Sequence, residues 1–202
     1  QIVDGFSSMG IEINNKYKSA LIHNCSFNRL FLTISGFFPY ANTLLFSNLT
    51  RAEVSECTFT RCGVVGDVDT RGVVISFTGE VATEAIVSNC TFDHTSTSIS
   101  SFTEDILILG NEFISCFRNT FRISAHRGNK GFQLIENSFH DSFFGSILYS
   151  VAYDSELSYE LNNNDHGELH YQPTIRGNEF KNINIPGNLH IDEESFAFVF
   201  AI

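Results

Sequence analysis

Six segments of the chain close on a phenylalanine and share the residues that lead to it: ALIHNCSF (20–27), AEVSECTF (52–59), AIVSNCTF (85–92), ILILGNEF (106–113), FQLIENSF (132–139) and PTIRGNEF (173–180). The shared ring is Phe27, Phe59, Phe92, Phe113, Phe139 and Phe180. Five residues before it an aliphatic side chain recurs, as Ile22, Val54, Val87, Ile108, Leu134 and Ile175. Two residues before it stands Cys25, Cys57, Cys90, Asn111, Asn137 or Asn178, and the residue ahead of that is Asn, Glu or Gly. A short strand with alternating inward side chains, a tight corner, and a second strand re-entering on a large apolar residue would produce this unit. Asn and Gly suit the corner because they tolerate left-handed backbone angles, and an Asn side chain can also bond neighbouring backbone groups.

Successive rings lie 32, 33, 21, 26 and 41 residues apart. Those intervals are too long for the hairpins of one meander, and they fit coils of a solenoid in which loops of different length leave the same corner. Equivalent residues of stacked coils sit about 4.8 Å apart, the spacing of neighbouring strands, so Phe is expected on Phe and Asn on Asn. Apolar runs between the rings, LFLTISGFF (30–38), GVVISF (72–77) and GSILYSV (145–151), would supply the other sides of each coil. Stacking also explains how a chain with 21 Phe stays in solution, since each coil buries its inner row against its neighbours.

Composition agrees with β structure. Ile, Val, Thr and Phe occur in short runs bounded by Gly, Asn, Ser and Asp, there are only 3 Pro, and no window combines a helical period with helix caps. A hydrophobic fraction of 43% over 202 residues is enough for a packed core. The net charge of −11, with no Lys/Arg cluster, argues against a nucleic-acid partner, and no apolar run is long enough to span a bilayer. The start QIVDGFSSMG lacks the pattern of a signal peptide, and the end SFAFVFAI stops on strand-like alternation, so a piece of a longer protein is expected.

With its Asn-bearing corners and its aliphatic and aromatic rows, the unit resembles those of the right-handed parallel β-helix proteins, the pectate-lyase-like solenoids, over roughly residues 10–190. The NCTF form is also similar to repeats of polymorphic-membrane-protein-like surface proteins, although the glycine-rich half of that pattern is absent. The resemblance implies an all-β fold: one right-handed parallel β-helix over 1–202, with a long insertion at about 144–172.

Such a fold hosts lyases, hydrolases, tailspikes and adhesins, so function has to come from a site. A lyase of this type needs carboxylates for calcium and a basic residue to take a proton. Asp67 and Asp69 beside Arg71, or Asp141 with Arg122 and His126, have the residue types, but GDVDTRG reads first as a solvated turn. A polygalacturonase-like centre needs paired aspartates and a Gly-His-Gly turn, for which NDHGE (164–168) has the wrong setting. His166 and His170 have the spacing of zinc ligands on a helix, in a stretch unsuited to a helix. No catalytic residue, metal ligand or cofactor is assigned.

The longest interval is the better candidate. Tyr149, Tyr153, Tyr159 and Tyr171 fall within it, with Asp154, Glu156, Glu160, Asp165 and Glu168 and no Lys or Arg between 149 and 171. Tyrosines offer flat faces with a polar tip for sugars or peptides, and the acids could accept sugar hydroxyls or hold a cation such as calcium. The plainer alternative is a hairpin whose tyrosines cover the side of the solenoid. Ligand-binding residues expected here are Tyr149, Tyr153, Tyr159, Tyr171, Asp154, Glu156 and Glu168.

Cys25, Cys57 and Cys90 occupy the slot that later copies fill with Asn, whereas Cys62 and Cys116 share a second slot three residues after the ring. Five cysteines cannot all pair within one chain, and none has C-x-x-C spacing, so a row of buried free thiols is expected over disulfides between coils. Sequons occur at Asn24, Asn48 and Asn89, two of them inside the repeat, where they read as by-products of NCSF and NCTF. The expected role is a non-catalytic extracellular or surface scaffold for adhesion, with a carbohydrate or cell-surface protein as partner, engaged by the insertion or a lateral strand face. Neighbouring coils or subunits could stack on its C-terminal end. A polysaccharide lyase or hydrolase is the first alternative, a structural part of a larger assembly the second.

Overall fold

Each repeat forms two strands on either side of a bend. Ser19–His23 leads into Ser26–Asn28, Arg51–Ser55 into Thr58–Thr60, Glu84–Ser88 into Thr91–Asp93, Asp105–Leu109 into Glu112–Ile114, Phe132–Ile135 into Ser138–His140, and Thr174–Arg176 into Glu179–Lys181. The computed structural model describes residues 9–14, 18–33, 41–65, 72–78, 84–101, 105–116, 121–125, 131–141, 147–151, 174–182 and 196–198. Among these residues there are strands and no helix.

The six leading strands make one sheet and the six trailing strands a second, each in chain order with every pair parallel. A third sheet runs Met9–Ile13, Ala41–Ser47, Gly72–Thr78, Thr97–Ser101, Phe121–Ala125, Ile147–Val151 and Phe196–Phe198. All its pairs are parallel except the last, where Phe196–Phe198 runs against Ile147–Val151. Phe31–Thr33 and Gly63–Val65 form a small parallel pair of their own. The protein is therefore all-β, with parallel strands in stacked sheets.

Register follows the repeat. Ile22 pairs with Val54 and Val54 with Val87, Val87 with Ile108, Ile108 with Leu134, and Leu134 with Ile175. In the trailing sheet Phe27, Phe59, Phe92, Phe113, Phe139 and Phe180 pair in turn. Their rings stack with centroids 4.7–5.0 Å apart and planes within 11° of parallel. That separation is the strand spacing itself, so backbone pairing and ring stacking impose the same geometry. Phe27, Phe59, Phe92, Phe113 and Phe139 are buried, and each contributes about 2 kcal/mol of transfer free energy. A shorter row, Phe46 on Phe77 at 5.2 Å, belongs to the third sheet.

Every repeat turns twice. The first corner is made by Asn24, Glu56, Asn89, Gly110, Glu136 and Gly177, all with φ between 52° and 64°. Five residues later come Arg29, Arg61, His94, Ser115, Asp141 and Asn182, with φ between 51° and 56°. The corners are held from the backbone: the N–H of Asn24 donates to the carbonyl of Ser55, Glu56 to Ser88, Asn89 to Leu109, Gly110 to Ile135 and Glu136 to Arg176. The second row does the same, from Arg29 to Thr60 through Asp141 to Lys181. Left-handed backbone costs a non-glycine residue roughly 1–2 kcal/mol, and here the first five repeats offset it through a bond to the next.

Candidate functional site

One residue past the first corner a row of polar side chains lies inside the fold. Asn178 donates its amide to the carbonyl of Leu134 at 2.9 Å, and its Oδ1 accepts the Asn137 backbone N–H at 2.9 Å and Nδ2 at 3.0 Å. Asn137 repeats the arrangement toward Ile108 and Asn111, and Asn111 toward Val87 and Cys90. The thiols then take over the same bonds. Cys90 Sγ accepts the backbone N–H of Cys57 at 3.4 Å and donates to the carbonyls of Ser88 and Val54 at 3.3 and 3.7 Å. Cys57 donates to Ser55 and Ile22, and Cys25 to His23. The row is thus a continuous polar seam in which sulfur does at longer range what the asparagine amide does at 2.9–3.0 Å.

The second corner has its own seam. Cys62 donates to Thr60 and Phe27, and Cys116 to Phe92 and Ile114, while Thr95 Oγ1 lies 3.2 Å from Cys116 Sγ and 2.9 Å from Ser98 Oγ. All five cysteines are free thiols, four buried and Cys25 exposed, so the row of buried thiols begins at Cys57 rather than Cys25. Burial pushes Cys62 up to about 11 and raises Cys116 as well. Cys57 and Cys90 titrate as a pair: a hydrogen bond to the Cys90 thiol draws Cys57 down to about 6 against the effect of burial, and the same bond, then burial, holds Cys90 up. These seams satisfy backbone groups, and of the five thiols only Cys25 is exposed.

The accessible chemistry lies on the outer face of the trailing sheet. Its strands are three residues long with the ring turned inward, so the first and third residues face outward. One outer row reads Ser26, Thr58, Thr91, Glu112, Ser138 and Glu179, the other Asn28, Thr60, Asp93, Ile114, His140 and Lys181. Hydroxyl and amide groups fill the first half, and charges enter from Asp93 onward. Glu179 is bonded by Lys181 at 2.6 Å, which holds its carboxyl below the usual range, and Asp93 lies 2.5 Å from His94. Six strands span about 24 Å, and two outward residues per strand give a ribbon about 7 Å wide.

The outer face of the leading sheet differs. Leu21, 61% exposed, begins a row that continues through Glu53, Ile86, Leu107, Gln133 and Thr174, and Arg51 bridges Glu53 and Glu84 at 3.1 and 3.2 Å.

No protein-family model matches the chain, and no curated protein or solved structure matches it either.

Of the sequence-predicted ligand-binding residues, Tyr149 lies in the strand Ile147–Val151, paired with Ile123, so the interval begins as regular sheet before any excursion. Tyr153, Asp154, Glu156, Tyr159, Glu168 and Tyr171 lie outside the described residues, as do Asp67, Asp69, Arg71, His126, His166 and His170. Arg122 is in the strand Phe121–Ala125, and Asp141 is a second-corner residue whose Oδ1 accepts from Asn182 at 2.9 Å. Among the described residues no group of three or more His, Cys, Asp and Glu could hold a metal ion. The polar ribbon was missed in the sequence because its residues flank the Phe anchor and vary; alternation about an inward ring was the available signal.

Proposed function

We propose that the chain is a right-handed parallel β-helix that serves, outside the cell or at its surface, as a non-catalytic scaffold for carbohydrate binding or adhesion. The helical path is supported by three sheets whose strands follow chain order, by two corners recurring five residues apart in every repeat, and by rows that stack like on like. A parallel connection within one sheet is right-handed in about 98% of cases, which supports the hand.

The polar ribbon of the trailing sheet carries the ligand reading. At about 24 by 7 Å it offers roughly 170 Å², far less than the ~800 Å² per partner of a standard protein interface. An extended chain suits such a strip better than a globular partner. Hydroxyl and amide groups at Ser26, Asn28, Thr58, Thr60 and Thr91 recur at the strand spacing and can exchange hydrogen bonds with the hydroxyls of a glycan. The net charge of −11 disfavours a polyanionic ligand, which leaves neutral polysaccharides as the preferred class. The stretch after Val151, with Tyr153, Tyr159, Tyr171 and its acids, is the second contact region on this reading.

The test is retention on an array of neutral and acidic polysaccharides, with and without calcium. Retention without new reducing or unsaturated ends, weakened by Thr58→Lys and Thr60→Lys, is the expected result. Product formation would make the protein a polysaccharide lyase or hydrolase instead. Loss of retention in Tyr153→Ala, Tyr159→Ala and Tyr171→Ala, with Thr58→Lys silent, would move the site to the insertion. A second reading, a structural part of a larger assembly, is favoured by the outward Leu21, Ile86 and Leu107, and would show as self-association with no glycan retained.

A further inference from the structure

The first corner has an outward position and an inward one, and the asparagines divide between them. Inward Asn111, Asn137 and Asn178 spend their amides on carbonyls of the fold. The residue two places after each of them is a ring of the stack, Phe113, Phe139 or Phe180, so none can begin a sequon. Outward Asn24 and Asn89 are different: both are exposed, and among the described residues neither side-chain amide nitrogen has a hydrogen-bond partner. Asn89 turns its Oδ1 toward Gly110, where a Cβ would come within 2.8 Å, so its oxygen faces the next corner and its nitrogen forms the other arm.

From the outward position the second residue along is the first residue of the trailing strand. That residue is Ser26 after Asn24 and Thr91 after Asn89, with Cys25 and Cys90 between. A slot filled by Cys instead of Asn therefore coincides with an acceptor sequence on the surface in two of three repeats, the third having Glu56 outward. Asn48 also begins a sequon at a left-handed bend, with φ at 55°, but it differs from the other two in being half-buried and in having its Thr50 hydroxyl engaged, donating to the carbonyl of Lys18.

We propose that Asn24 and Asn89 are N-glycan acceptors and that Asn48 is not, an inference that rests on the chain lying outside the cell or at its surface. The donor is a lipid-pyrophosphate-linked oligosaccharide. The amide nitrogen forms the bond to the anomeric carbon as the bond from that carbon to the pyrophosphate oxygen breaks, the amide proton passes to base, and lipid pyrophosphate leaves. The two sugars would stand on one edge, two strands apart, about 10 Å from each other. They would flank the corner between leading and trailing sheets without displacing any bond of the inner seam.

The experiment secretes the full chain from a eukaryotic cell behind an added leader, together with an added control sequon on a tail. Glycosidase release in heavy-oxygen water marks each occupied asparagine as a labelled aspartate, read by peptide mass. Occupancy at Asn24 and Asn89 with Asn48 bare is expected, and Ser26→Ala or Thr91→Ala should abolish the glycan at its own site alone. Bare Asn24 and Asn89 beside an occupied control, or a glycan confined to Asn48, would overturn the proposal. Location is read separately by labelling intact source cells with an impermeant amine reagent. A labelled chain with both asparagines bare overturns the glycan inference alone, and an unlabelled chain overturns the location beneath it.

Discussion

Asn137 Oδ1 accepts two bonds from Asn111, the backbone N–H at 2.9 Å and the side-chain amide at 3.0 Å. One oxygen thus closes both the backbone and the side chain of the preceding repeat, and the Asn137 amide passes the same arrangement on to Asn178, Ile108 and Ile135. Both residues are buried, so no solvent would replace a lost partner.

Asn137→Ala should therefore be among the costlier single changes. It strands the Asn111 N–H and the Ile108 carbonyl, and each buried unsatisfied group costs about 1–3 kcal/mol. A loss of about 3 kcal/mol in urea unfolding is expected, and a loss below about 1 kcal/mol would refute the seam as a source of stability. Cys90→Asn should go the other way, holding or raising the urea midpoint, because it puts an amide oxygen where sulfur now accepts the Cys57 N–H at 3.4 Å.

The ring stack can be tested by coupling rather than by loss. Phe92→Ala and Phe113→Ala should each cost about 3–5 kcal/mol. Their rings are 4.8 Å apart and 9° from parallel, and a double-mutant cycle should return about 0.5–1.5 kcal/mol of interaction beyond burial. Strict additivity would mean that the rings merely fill space.

Corner residues should respond to glycine in opposite ways. Glu136 holds φ at 56° with a Cβ that disfavours it, so Glu136→Gly should stabilise by up to about 1 kcal/mol. Gly177, at φ 64°, has Glu136 Cγ at 3.2 Å from where a Cβ would stand, and Gly177→Ala should lower the thermal midpoint. A stabilising Gly177→Ala would contradict the left-handed corner.

Alkali should loosen the fold through its inner thiols. Unfolded, Cys62 ionises near 9.0, and folded it is pushed up to about 11 by burial. A raised folded value contributes stability that is complete below the unfolded value and is lost as pH rises toward the folded one, because only the unfolded chain then releases protons. Cys62 alone accounts for about 3 kcal/mol across this window at ~1.4 kcal/mol per unit, and raised Cys116 adds in the same direction. The urea midpoint should fall between about pH 9 and 11, less steeply in Cys62→Ala, and a flat wild-type midpoint would refute the argument.

The first corner was legible because its occupants must satisfy a chemical demand: the ring has to stack, and the inward residue has to bond carbonyls. Cys and Asn both can, which is why one slot holds Cys in the first three repeats and Asn in the last three. The second corner was not legible as a bend. Arg29, Arg61, His94, Ser115, Asp141 and Asn182 share no chemistry, since their bonds to the next repeat run through the backbone N–H and ask nothing of the side chain. Only Cys62 and Cys116, one residue further on, hinted at it.

The third sheet was half legible for a related reason. The run LFLTISGFF supplies Phe31–Thr33, which pairs with Gly63–Val65 outside this sheet, while the strand within it is Ala41–Ser47. There the inner residues change from Leu44 and Phe46 to Ile75 and Phe77 and then to Ile99 and Ser101, so neither position keeps one residue through all three strands. Tyr149 belongs both to the apolar run GSILYSV and to the long interval, and its pairing with Ile123 depends on neighbours that spacing does not reveal.

Phe92 and Phe113 are 21 residues apart in sequence and Phe139 and Phe180 are 41 apart, yet each pair occupies the same register. Doubling an excursion adds only about 0.6 kcal/mol of closure entropy. Variation can therefore accumulate sideways, one excursion at a time, without renegotiating the interior. A lineage carrying this chain could exchange its outer decorations as fast as selection on its surroundings demanded, while the stack beneath them stayed unchanged.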